Sequence, residues 1–102
     1  MPERPFLSVA SLWELSLLVE IGRVELMPNA ASWLEQATHP NTVRLAQITQ
    51  AVAMELFAFP KKFRRDPADR IIVATARALE LPLLTYDQGI RKSGLVKIWK
   101  PR

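Results

Sequence analysis

Hydrophobic and polar positions follow one another in blocks whose period switches repeatedly between strand-like and helix-like. Residues 6–9 (Phe, Leu, Ser, Val) form a short apolar run after Pro5, which predicts a buried strand. A helix is expected next, because Ser11 and Glu14 have the S-x-x-E spacing of a capping box and Gly22 is a natural stop. Between them Leu12, Trp13, Leu15, Leu17, Leu18, Val19 and Ile21 cover most of the circumference, so this helix should be buried on several sides. Asn29 can cap a second helix with Ala30, Trp33, Leu34 and Ala37 on one face. His39, Pro40 and Asn41 then read as a turn, and residues 43–48 as a strand. Thr49 suits the cap of a helix over residues 50–58, which must end before Pro60.

The clearest element follows. Asp66 is a good cap, Pro67 suits the first helical position, and Asp69 falls in the first turn, where an acid suits the helix dipole. Ala68, Ile71, Ile72, Thr75 and Leu79 recur at helical spacing, and Pro82 closes the segment. Residues 83–86 predict a short strand followed by Asp87, and residues 95–99 another. Strands therefore alternate with helices, the pattern of an α/β fold with a parallel sheet covered by helices.

Composition adds bounds to this picture. A chain of 102 residues, 49% of them hydrophobic, suits one small domain, and 24% charged residues is ordinary for a folded protein. No apolar run approaches the roughly 20 residues needed to cross a bilayer. Residues 1–5 lack the apolar core of a secretory signal. The absence of cysteine excludes disulfides and thiolate metal sites and is compatible with a cytoplasmic protein. The net charge of +4 has a single origin. Lys61, Lys62, Arg64 and Arg65 surround Phe63, and without these four the 14 basic residues fall level with the 10 acidic ones. Such a loop can attract phosphates, although solvated basic loops are also common on surfaces without a ligand.

Three acids recur at one kind of place: Glu14 after the first strand, Asp69 at the opening of a helix, and Asp87 after the strand at 83–86. In an open parallel sheet, ligands bind beyond the carboxyl ends of the strands, and carboxylates gathered there suit hard Mg²⁺ or Mn²⁺. The same residues also have structural readings. Glu14 and Asp69 each stand three positions after a capping residue, and Asp87 could simply begin a turn. Spacing leaves both readings open.

Three segments carry a resemblance. Phe6-Leu-Ser-Val-Ala-Ser-Leu-Trp-Glu14-Leu resembles the strand-to-helix passage of the PIN-domain ribonucleases, in particular their VapC-like toxin branch. Arg65-Asp66-Pro67-Ala68-Asp69-Arg70-Ile71-Ile72-Val73-Ala74-Thr75-Ala76 resembles that family's D-P-x-D-R-x-x-x-A-T-A block, and Leu81-Pro82-Leu83-Leu84-Thr85-Tyr86-Asp87 its following strand and acid. The resemblance implies a PIN-like parallel sheet flanked by helices and a Mg²⁺- or Mn²⁺-dependent endoribonuclease that cleaves RNA phosphodiesters. On it, Glu14, Asp69 and Asp87 are the catalytic, metal-holding acids, Thr85 orients a carboxylate or water, and Asp66 mainly caps its helix. Lys61, Lys62, Arg64 and Arg65 become candidate RNA contacts. The implied partners are RNA, a cognate antitoxin and a second copy of the chain in a homodimer; no membrane is expected.

The match departs from the family at its start. The family's first strand ends in an Asp, and only Met1–Pro5, which hold no Asp, precede the first matching segment. Residues 1–102 are therefore expected to form one N-terminally incomplete PIN-like domain lacking the family's first strand, with weak cleavage as the expected result. The second reading is a non-catalytic PIN remnant that binds RNA or an antitoxin. On the resemblance, residues 6–9 and 83–86 flank the absent strand and are expected to pair directly or to be covered by another chain. His39 reads as an exposed histidine without a catalytic partner, Trp13, Trp33 and Trp99 as core or dimer-interface residues, and Arg70 as a structural partner of nearby acids.

Overall fold

In chain order, the regular elements of the computed structural model are β1 (Phe6–Ser8), α1 (Val9–Glu20), α2 (Ala30–Ala37), β2 (Arg44–Ala46), α3 (Gln50–Ala58), α4 (Pro67–Leu79) and α5 (Gln88–Ser93). The structure describes residues 4–63 and 66–100. It is α/β, and its described residues divide into two compact units, one ending at Gln47 and the next beginning at Ile48.

In the N-terminal unit β1 and β2 pair in parallel, with Phe6 opposite Arg44, Leu7 opposite Leu45 and Ser8 opposite Ala46. Arg44 fastens this pair from outside. Its Nε and Nη2 donate to Arg4 O at 3.2 and 3.0 Å, and its guanidinium lies 4.0 Å from the centre of the Phe6 ring. The strand that begins the chain is one residue shorter than expected because Ser8, not Ser11, caps α1. The Ser8 hydroxyl oxygen accepts from Ala10 N–H at 3.2 Å, and the helix starts at Val9. Gly22 ends this segment as anticipated, at φ 79°. The expectation that α1 is buried on several sides is wrong. Ala10 is its one buried residue, and Trp13, Leu17 and Leu18 are exposed. Large side chains all round a helix need cover from several directions, and α1 does not have it. Asn29 caps α2 as expected, its Oδ1 accepting from Ser32 N–H at 2.9 Å.

The C-terminal unit holds a contiguous core. Val52, Phe59, Phe63, Val73, Ala74 and Ile90 are buried together, with Leu56, Ala78, Leu83, Leu95 and Val96 packed against them. Thr49 caps α3 and Asp66 caps α4, with Pro67 at the head of α4, as the residue types dictate. Helices α3 and α4 pack on each other. Outside this core, Arg77 clamps the unit: its Nε donates to Glu55 Oε1 at 2.7 Å and its Nη1 to Leu95 O at 3.0 Å. The two strands expected at 83–86 and 95–99 contract to a single parallel bridge between Leu83 and Ile98. Leu83 N–H donates to Lys97 O at 2.8 Å, and Trp99 N–H to Leu83 O at 2.9 Å. The ladder does not extend because Leu81 N–H, the next donor on that side, goes to Ala76 O at the end of α4 at 3.0 Å, and the chain at Thr85–Asp87 turns to start α5. Leu83 thus bridges Ile98 within this unit, as β1 pairs with β2 in the other. Trp13 and Trp99 are exposed rather than core, and Trp33 is half-buried.

Candidate metal centre and nucleic-acid loop

Glu14 sits half-buried on the second turn of α1. With Ser8 as the cap, the position that a capping-box acid would take is Ser11, and Glu14 lies three residues beyond it. The capping role that the sequence spacing allowed for Glu14 is therefore excluded by the helix start.

The opening of α4 brings two acids together. Asp66 Oδ1 accepts from Asp69 N–H at 3.0 Å, so the cap engages the backbone of Asp69, whose side chain is half-buried. Carboxylate oxygens of Asp66 and Asp69 lie within 4.8 Å of each other. Asp66 caps α4, as its residue type led one to expect. The three-residue interval between the two acids was readable as cap spacing, whereas the approach of their carboxylates depends on side-chain directions.

Asp87 caps α5, a short helix not foreseen from the sequence. Its Oδ1 accepts from Ile90 N–H at 2.9 Å, and its own N–H donates to Thr85 Oγ1 at 3.1 Å. Thr85 therefore fixes the Asp87 backbone through its hydroxyl oxygen. Asp87 does not join Asp66 and Asp69 at the 4.8 Å separation. Both signals for α5 were in the sequence: Asp87 as a cap, and Gly94, which takes the left-handed conformation at φ 73° after the last turn.

Lys61 and Lys62 are exposed on a tight turn, and Arg64 and Arg65 lie outside the described residues. The Arg70 guanidinium lies 5.9 Å from the centre of the Phe59 ring. His39 is exposed, as expected, and its Nδ1 accepts from Asn41 N–H at 3.0 Å.

The PIN-domain family profile matches residues 1–94. This chain belongs to the PIN-domain family. Ribonuclease VapC22 of Mycobacterium tuberculosis is 42% identical over 88 residues, which cover 83% of this chain and 65% of that protein, so this PIN domain is VapC-like and spans just under two thirds of that relative's length. No solved structure matches it significantly.

The donors of this PIN domain fit the family's chemistry. Asp66 and Asp69 offer only hard oxygen atoms, the ligand type that Mg²⁺ and Mn²⁺ prefer. Two oxygens on one octahedral Mg²⁺ stand about 3 to about 4 Å apart, which the Asp66–Asp69 separation can accommodate. Among the described residues, no helix is long and apolar enough to cross a membrane.

Proposed function

We propose that residues 1–102 act as one PIN-like domain and as a cytoplasmic, metal-dependent endoribonuclease toxin of VapC type. Glu14, Asp69 and Asp87 are the catalytic acids that hold Mg²⁺ or Mn²⁺, with Asp66 beside Asp69 as a further oxygen donor. The observation that carries the reading is the Asp66–Asp69 pair at the mouth of α4, in a chain 42% identical to a protein named as a ribonuclease. A bound divalent ion would activate water and offset charge on the phosphodiester. The residues themselves do the positioning: the α4 cap fixes the Asp69 backbone, and Thr85 and the α5 cap fix that of Asp87. Lys61, Lys62, Arg64 and Arg65 contact the RNA backbone. An antitoxin or a second copy of the chain covers apolar side chains such as Trp13 and Leu17, which α1 leaves exposed.

The test is cleavage of a labelled RNA by the purified chain in Mg²⁺ and in chelator, with Glu14→Gln, Asp69→Asn and Asp87→Asn beside it. Loss of a residue that merely supports a metal ligand lowers affinity about 10–100-fold, so removing an acid of the centre should reduce cleavage by at least about 100-fold. Cleavage that survives chelator and all three substitutions would sink the proposal. RNA or antitoxin binding by a wild-type chain that cuts nothing would support the non-catalytic reading instead.

A further inference from the structure

The turn that carries Lys61 and Lys62 is built more firmly than a solvated loop requires. Phe63 N–H donates to Pro60 O at 3.0 Å, which closes a four-residue turn and puts the two lysines at its central positions. Aromatic residues flank the tip. Phe59, the residue after α3, and Phe63 are only 8% and 7% exposed, and their rings meet edge to face with centres 5.2 Å apart. Phe59 is held in turn by guanidiniums of α4, Arg77 at 5.4 Å and Arg70 at 5.9 Å from its ring centre. Two core aromatics thus pin a tip of two residues, both exposed cations. Adjacent like charges on a short pinned turn repel each other, and an anion spanning both relieves that repulsion. Fixing them in advance also removes part of the ordering cost of binding.

We infer that the Phe59–Phe63 pair is a positioning element that holds Lys61 and Lys62 as a two-point grip on neighbouring phosphates of single-stranded RNA. This rests on the RNA reading above and deepens it: the lysines contact substrate, and the rings act through them. Released counterions make such a grip salt-dependent, with about 0.7 in the slope of log affinity against log salt for each single-strand phosphate engaged.

The experiment measures anisotropy of a labelled single-stranded RNA oligonucleotide with the full chain in chelator, across a KCl series, so that cleavage does not enter. Lys61→Gln with Lys62→Gln should weaken binding and flatten the slope by about 1.4. Inserting one glycine between Lys61 and Lys62 keeps both cations and both rings but loosens the tip. That variant should bind about tenfold more weakly with the wild-type slope. Phe63→Ala, read at a temperature where its circular dichroism shows it folded, should behave like the insertion, and Phe63→Leu should recover most of the affinity. If Phe63→Ala does not fold, the insertion decides. An insertion variant that binds as tightly as wild type overturns the positioning role. A double glutamine variant with wild-type affinity and slope, or a wild-type chain that binds no RNA, overturns the grip. Failure of the cleavage test alone leaves this assay readable, since no metal or bond breaking is involved.

Discussion

Helices α1 and α4 have nearly the same length, 12 and 13 residues, and opposite surroundings. Helix α1 is rich in large apolar side chains, yet buries only Ala10. Helix α4 interleaves Asp69, Arg70 and Arg77 with apolar residues, yet buries five side chains: Ala68, Val73, Ala74, Thr75 and Ala76. Side-chain size and arrangement account for the contrast. The buried residues of α4 are small, so neighbouring elements approach its backbone closely, and Thr75 satisfies its hydroxyl by donating to Ile71 O at 2.7 Å. Leucine, tryptophan and valine encircle α1, so a layer on one side cannot cover them. Apolar content therefore predicts burial poorly when it is spread around a helix, and well when it gathers on small residues beside a charged flank.

The largest test of this contrast places one residue type in both units. Ile90 is 3% exposed and Ile21 is 65% exposed. Ile90→Ala should cost about 2–5 kcal/mol by lost burial and a residual cavity, whereas Ile21→Ala should stay within about 0.5 kcal/mol. Urea unfolding midpoints check both values, and equal losses would break the comparison. Smaller effects come from the caps. Asp66→Ala and Asn29→Ala each remove a cap bond worth about 1 kcal/mol. Helix α4 has buried residues to hold it after that loss, whereas α2 has none. Asp66→Ala should thus lower the midpoint while keeping helical signal, and Asn29→Ala should speed amide exchange at Trp33 and Leu34 within an otherwise folded chain. Slow exchange at those two amides in Asn29→Ala would show that α2 is supported by more than its own cap.

The same contrast governs what was legible in the sequence. Helix caps are local chemistry, so Asn29, Thr49 and Asp66 announced α2, α3 and α4 correctly. Ser11 misled because Ser8 is an equally good cap nearer the strand, and choosing between them depends on where strand pairing stops. The strands at 83–86 and 95–99 were overestimated for a related reason: apolar residues marked the segments, but the end of α4, which takes Leu81 N–H, and the cap at Asp87 decide how many backbone bonds they share. At the candidate site the residue types and their helix-end positions were readable. The Asp66–Asp69 approach and the aromatic pair under the lysines were not, since both depend on side-chain directions that a one-dimensional pattern does not carry.

The register of β1 against β2 has a consequence for the order of assembly. Every paired position in that ladder is 38 residues from its partner, whereas Leu83 and Ile98 are 15 apart. Chain entropy makes the longer closure costlier by about 0.8 kcal/mol before any strand bond forms, while the α3–α4 contact joins consecutive helices. The ladder should therefore form after the rate-limiting step. Stopped-flow measurements on Ala46→Gly, which weakens β2 by roughly 0.5–1 kcal/mol, should find unfolding accelerated and refolding unchanged. A refolding rate that falls with stability would place the ladder in the folding nucleus instead.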